Sequence, residues 1–143
     1  MSRYLLDTNI LSNPTKPMPS APLTSWLAEQ PDEGLFIASM TVAEIWRAVQ
    51  ETPVGKRRTE LERWYVGPTG PQSLFAGKIL PFDEKAGIVW GRLMAEGKAA
   101  GRPRSALDMI VAAIAEANGC ILVSDNDKHF QGLKFVNPMR LHR

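Results

Sequence analysis

Five carboxylates in this chain stand where they could do chemistry. Asp7 directly follows the short apolar run Arg3–Leu6, and Glu44 comes one turn into the helical pattern that follows the run Leu35–Ala38. Asp108 lies in the first turn of a helical pattern leading into the run Cys120–Val123, and Asp125 and Asp127 come just after that run. If the runs are parallel strands, these acids share the carboxyl edge of the sheet, the edge at which such sheets bind ligands. Carboxylates converging on one cleft repel one another, and a divalent cation between them relieves the repulsion. An all-oxygen donor set favours Mg²⁺ or Mn²⁺ over Zn²⁺. Such a cation polarises a phosphoryl oxygen, lowers the pKa of a water and steadies a leaving oxygen, which is the equipment of phosphodiester hydrolysis.

Each acid also has a purely structural reading. Thr41-Val42-Ala43-Glu44 and Ser105-Ala106-Leu107-Asp108 fit the capping-box pattern, in which the acid only completes a helix start. Asp7 could cap a helix after its strand. Asp125-Asn126-Asp127 could be a turn. It is their joint placement at one sheet edge that favours a site.

The elements that would position them follow from hydrophobic spacing. Arg3–Leu6, Leu35–Ala38, Lys78–Leu80, Cys120–Val123 and Lys134–Val136 read as short strands, apolar without alternation as buried parallel strands are. Leu23–Glu29 and Lys56–Tyr65 read as helices, the latter with Leu61 and Trp64 inward. Val42, Ile45, Trp46 and Val49 repeat at helical spacing over Thr41–Gln50. So do Ala86, Val89, Trp90, Leu93 and Met94 over Asp83–Lys98, and Leu107, Ile110, Val111 and Ile114 over Ser105–Asn118, with Gly119 as C-cap. The prolines of Asn13–Pro22 and the Gly67–Pro71 stretch predict loops. Alternating strands and helices predict an α/β fold, one domain over residues 1–143, with a central parallel sheet flanked by helices.

Composition is consistent with that and narrows the class. The chain has 143 residues, 44% hydrophobic and 22% charged, which excludes a disordered or fibrous protein. No apolar run approaches the ~18 residues of a membrane span, and the N-terminus has no signal-peptide h-region. Cys120 is the single cysteine, so neither a disulfide nor a cysteine zinc site is expected, and a cytoplasmic location is the natural reading. The net charge of +2 permits a nucleic-acid partner without demanding one.

Four segments then resemble, in order, those of PIN-domain ribonucleases, and especially the toxins of VapBC toxin–antitoxin modules. They are Tyr4-Leu5-Leu6-Asp7-Thr8-Asn9-Ile10-Leu11-Ser12, Ser39-Met40-Thr41-Val42-Ala43-Glu44-Ile45, Leu107-Asp108-Met109-Ile110-Val111-Ala112-Ala113 and Ile121-Leu122-Val123-Ser124-Asp125-Asn126-Asp127-Lys128-His129-Phe130. The closing Val136-Asn137-Pro138 also fits. The resemblance implies a metal-dependent endoribonuclease acting as a toxin, with Mg²⁺ (or Mn²⁺) as cofactor, a cognate antitoxin as partner and a homodimeric state. It places Asp7, Glu44 and Asp108 on the core acidic positions. Asp7 would ligate the metal, Glu44 and Asp108 would ligate it or hold its waters, and either Asp125 or Asp127 would be the fourth acid. Thr8 and Asn9 would support the first acid, Asp7, and Ser124 would hydrogen-bond a ligand or a neighbouring carboxylate. A water activated by the metal would attack phosphorus in line, the 3′ oxygen would leave, and the product would carry a 5′-phosphate.

RNA also needs positive charge outside the acidic cleft. Arg47, Arg102 and Arg104 are the candidates nearest the acids. The cluster Lys56, Arg57, Arg58 and Arg63 reads as a solvated face. His129 reads as a capping or packing residue and His142 as a solvated tail residue. Trp26, Trp46, Trp64 and Trp90 read as core or interface residues. The alternative is a catalytically inactive PIN-like module that binds RNA or protein. A haloacid-dehalogenase-like phosphatase would want a second Asp where this chain has Asn9, and a phosphoaspartyl receiver would want paired acids at the first strand end.

Overall fold

The structure, a computed structural model, describes residues 2–12 and 18–140. Its centre is a five-stranded sheet with strands β1 (Tyr4–Leu6), β2 (Leu35–Ala38), β3 (Ile79–Leu80), β4 (Ile121–Val123) and β5 (Phe135–Val136). Spatial order is β3-β2-β1-β4-β5, and every neighbouring pair is parallel. The chain therefore winds outward from β1 through β2 to β3, then returns and winds the other way through β4 to β5. The reversal falls between β1 and β4, and a crevice opens at such a reversal beyond the strands' carboxyl ends. Leu6 pairs with Val123, so Asp7 and Ser124 leave the sheet side by side.

Helices cover both faces. These are α1 (Thr8–Ser12), α2 (Ala21–Ala28), α3 (Ser39–Glu51), α4 (Lys56–Val66), α5 (Pro71–Leu74), α6 (Glu84–Ala99) and α7 (Ala106–Ala117). The pleat divides the core in two. Leu5 and Leu122 pack with Met109, Ile114, Leu93 and Phe130 on the α6–α7 side. Leu6 and Val123 pack with Ile10, Leu23, Trp26 and Phe75 on the other. Both strands are buried on both faces, which is why their runs show no alternation.

The strands and the four long helices lie where hydrophobic spacing predicts, within two residues at each end. Four details differ. Pro22 is not in a loop: α2 starts at Ala21, Ser20 caps it by accepting from Leu23 N–H at 3.3 Å, and proline is tolerated in a first turn. Pro71 likewise opens α5. Residues 13–17, with Pro14 and Pro17, lie outside the described residues, as does His142. Leu107 and Trp46 point outward rather than into the core, at 49% and 38% exposure. In α7 the buried face instead runs through Met109 and Val111–Ala115, and Trp46 lies edge-on to Tyr65 of α4 at 5.2 Å.

The capping prediction for Glu44 also fails. Helix α3 starts at Ser39, so Thr41 is already inside it, fully buried. Its Oγ1 is the one buried side-chain polar atom without a partner among the described residues. Glu44 is thus past the first turn and has no cap to complete. The capping role at Ser105 does hold, with its Oγ accepting from Asp108 N–H at 3.3 Å.

Candidate metal and RNA site

The acidic edge assembles from four elements. Asp7, at the end of β1, is only 7% exposed. Its Oδ1 accepts from Thr8 N–H at 2.9 Å and its Oδ2 from the buried Ser124 hydroxyl at 2.9 Å. Its backbone carbonyl accepts from Ile10 and Leu11, so Asp7 also starts α1. The residue starts the helix through its carbonyl, while its side chain accepts from the first helical N–H and not from the second or third, as a capping side chain would. Burial pushes its carboxyl pKa up from 3.8 to about 6. The bonds from Ser124 and Thr8 oppose that rise, and the nearby Asp108 and Glu44 charges add to it.

Glu44 reaches the same centre from α3, where its Oε1 accepts from the Thr8 hydroxyl at 2.7 Å. Asp108 arrives from the first turn of α7, 23% exposed at its side chain. Asp125, on the loop after β4, accepts from the Asn9 amide at 3.4 Å. Thr8 and Ser124 bond Asp7, and Thr8 also bonds Glu44, whereas Asn9, expected beside Asp7, bonds Asp125 instead.

The remaining predicted residues are placed differently. Asp127 Oδ1 turns to the C-terminal segment, 3.1 Å from Asn137 Nδ2 and 2.9 Å from Arg140. Arg47 pairs with Glu51 on its own helix at 3.0 Å, with 74% of its side chain exposed. Arg104 is built into the wall: its guanidinium donates to the Leu93 carbonyl at 2.7 Å and lies 3.6 Å from Glu96. Neither arginine is a free phosphate ligand. Arg102 is exposed, and its side chain pairs with no acid among the described residues.

His129 is the residue whose place the sequence reading missed. Its backbone N–H does lie 3.4 Å from Asn126 Oδ1, a capping contact. Its ring, however, faces the acids, with Nδ1 2.6 Å from Asp108 Oδ2 and 2.9 Å from Asn126 Nδ2. Carrying a proton, that nitrogen donates to Asp108; without one it accepts from Asn126. The signal was its position two residues after Asp127 in a turn already assigned to the acidic edge.

The donor chemistry fits a hard divalent cation. Every candidate ligand is a carboxylate or hydroxyl oxygen, and Asp7 carries a buried charge with no cationic side chain bonded to it. Among the described residues, however, no three acidic, histidine or cysteine side chains stand close enough to hold an ion between them as they are placed.

Comparison with known proteins places the fold. The PIN-domain family model matches residues 4–136. The chain is 35% identical to plasmid stability protein StbB of Pseudomonas syringae pv. tomato over 94% of its length and 96% of that protein's. It is 34% identical to the VapC ribonuclease Y4jK of Sinorhizobium fredii, again over 94% and 96%. The crystal structure of FitAcB from Neisseria gonorrhoeae superposes with a TM-score of 0.90 at 29% identity, covering 96% of this chain and 99% of that one. A family match over nearly the whole chain, with the acids at the sheet edge where the fold binds its ligands, leaves one conclusion: this chain belongs to the PIN-domain family.

Proposed function

We propose that the chain is a Mg²⁺- or Mn²⁺-dependent endoribonuclease that acts as the toxin of a toxin–antitoxin pair in the cytoplasm. The observation that carries the reading is Asp7. It is a buried carboxylate at the β1–β4 crevice, held by two hydrogen bonds and flanked by the charges of Glu44 and Asp108. Kinship with a VapC ribonuclease supports RNA as the substrate.

Asp7 and Asp108 would hold the cation, with Asp125 or Glu44 completing the set of acids around it. Bound there, the cation would supply the acidity that makes water a nucleophile at neutral pH and would offset charge on the phosphate. The chain's own residues provide the rest. Ser124 and the Thr8 amide aim Asp7. The Thr8 hydroxyl fixes Glu44 through Oε1, which leaves Oε2 to take a proton from the attacking water. Asn9 fixes Asp125. In-line attack on phosphorus then breaks the bond to the 3′ oxygen and leaves a 5′-phosphate.

A partner surface adjoins the site. An apolar cavity of about 390 Å³ opens beside Ile10 and Leu11, lined also by Leu27, Trp64, Leu74 and Phe75. It is built on the same β1–α1 turn that carries Asp7, so an antitoxin segment seated there would reach the acids. Two chains would pair as a homodimer.

The test is incubation of purified chain with mixed tRNA and rRNA in Mg²⁺, in Mn²⁺ and in EDTA, beside Asp7→Asn. Cutting that needs metal and Asp7 is expected. RNA bound but never cut would establish the alternative, a PIN-like module that binds without cleaving.

A further inference from the structure

A second cleft adjoins the acidic centre and carries the opposite charge. It has a volume of about 510 Å³ and lies between the loop joining α6 to α7 and the turn after Asp127. Arg102 and Ser105 line one wall, and Lys128, His129 and Gln131 the other. No Asp or Glu lines it. The cleft is continuous with the acids through two of those residues. His129 Nδ1 is 2.6 Å from Asp108 Oδ2, and Ser105 Oγ accepts from Asp108 N–H.

The backbone that carries the cations is fixed on both walls. Helix α6 ends in a Schellman turn, with Arg102 N–H donating to Gly97 O at 2.9 Å, Gly101 N–H donating to Lys98 O at 3.1 Å, and Gly101 at φ +71°. That turn fixes where Arg102 leaves the helix. Gly97 permits it, since a Cβ there would stand 2.9 Å from Arg104 Cγ and 3.0 Å from Arg102 O. Arg104 then pins the loop to the Leu93 carbonyl. On the facing wall the turn is set by Asn126 N–H donating to Ser124 Oγ at 3.0 Å and by the fully buried Phe130. Arg102 and Lys128 themselves are exposed and pair with no acid among the described residues. By contrast Arg47, Arg57, Arg58 and Arg92 spend their charge on carboxylates of their own surface.

We propose that this cleft is a second phosphate-binding subsite for the RNA strand, with Arg102 and Lys128 gripping a backbone phosphate on one side of the scissile bond. The inference rests on the ribonuclease reading above and deepens it. An acidic centre repels the polyanion it must cut. Unpaired cations on a fixed backbone beside it supply attraction, and a lining whose charged side chains are all basic offers no carboxylate to compete. Such contacts position the strand without reading its bases.

The test begins by mapping a cut site in the tRNA and rRNA mixture. Single-stranded oligonucleotides spanning that site are then made with extensions of different length on either side. Arg102→Gln and Lys128→Gln leave the backbone bonds of both turns intact. Each is expected to raise KM about fivefold on RNA extended past one side of the cut, with kcat within about twofold. The loss should vanish on oligonucleotides truncated on that side. The slope of log KM against log salt should fall by about 0.7 per cation removed. Lys134→Gln, an exposed cation outside the cleft, is the control and should change nothing. Equal losses on long and truncated RNA, or the same loss in the control, would mean a diffuse field and overturn the subsite. Unchanged cleavage with weakened antitoxin binding would make the cleft a protein contact and overturn it equally. If the native chain cuts no RNA in either metal, the ribonuclease reading itself fails and takes the subsite with it. That result is separate from native cutting with indifferent variants, which sinks the subsite alone.

Discussion

Ser124 Oγ donates to Asp7 Oδ2 at 2.9 Å across 117 residues of sequence, between two fully or nearly buried side chains. The bond closes the crevice where the sheet reverses its winding, and it is one of two that oppose the rise in the Asp7 pKa. Ser124→Ala removes it and also the acceptor for Asn126 N–H. A lost hydrogen bond to a charged, buried acceptor costs about 2 kcal/mol, so Tm should drop by roughly 5 °C. The Asp7 carboxyl should titrate still higher, and the acid limb of the pH–rate profile should move up with it. Activity lost at pH 7 would then return partly at pH 8.5. A uniform loss at every pH would show that Ser124 acts only on geometry.

Asp7 itself should make the metal-free protein less stable as pH rises. Its folded pKa, about 6, lies above the unfolded 3.8. Stability is therefore full below about pH 3.8, where the carboxyl is protonated in both states, and is lost as pH climbs through about 6. That difference corresponds to about 3 kcal/mol at neutral pH. Asp7→Asn escapes that penalty but forfeits one of the two hydrogen bonds, because an amide offers a single acceptor oxygen. In EDTA at pH 7.5 the variant should melt higher than the native chain by about 1–2 kcal/mol equivalent, and the order should reverse below about pH 4. Added Mg²⁺ should close the gap by stabilising the native chain alone. Thermal melts over pH with and without metal decide it, and a variant that melts lower at every pH would refute the account.

What was legible in the sequence, and what was not, divides along physical lines. The α6, α7 and α3 helices announce themselves because their apolar residues repeat at helical spacing, and β2 and β4 because they are short unbroken apolar runs. Strand order does not, since apolar parallel strands carry no mark of which neighbour each will pair with. Helix α1 went unseen: five residues, Thr8–Ser12, hold too little pattern, and its start depends on the Asp7 carbonyl. The acids were visible as types at strand ends, but their partners were not. Glu44 looked like a helix cap from its spacing to Thr41. Only the earlier start of α3 frees it to meet Thr8, a contact 36 residues apart. The roles of Arg47 and Arg104 were hidden for the opposite reason, because nearby carboxylates and a carbonyl claim them once the helices form.

Thr8 and Glu44 should behave as a unit. Thr8→Val keeps the β-branched shape and the backbone N–H to Asp7, and deletes only the hydroxyl held 2.7 Å from Glu44 Oε1. Glu44 would then swing freely, and kcat should fall about tenfold with KM little changed, as expected for a group that matters in the transition state. Thr8→Ser should restore most of the rate. In a Glu44→Gln background Thr8→Val should cost little further, and additive losses would separate the two residues.

Asp125 and Asp127 offer the sharpest division of labour, since both follow β4 and only two residues separate them. Asp125 meets Asn9 on the turn that carries Asp7, whereas Asp127 Oδ1 bonds Asn137 and Arg140. Asp125→Asn should therefore lower kcat/KM by about a hundredfold, with Tm nearly unchanged. Asp127→Asn should leave kcat/KM within about threefold, for its charge serves the C-terminal segment. Its ion pair with Arg140 is well exposed, at 66% and 38% for the two side chains, so even the stability cost should stay under about 1 kcal/mol. Steady-state cleavage and thermal melts on the two variants give the comparison. A silent Asp125→Asn beside a dead Asp127→Asn would exchange their roles, and would require the segment after β4 to refold around the bound cation.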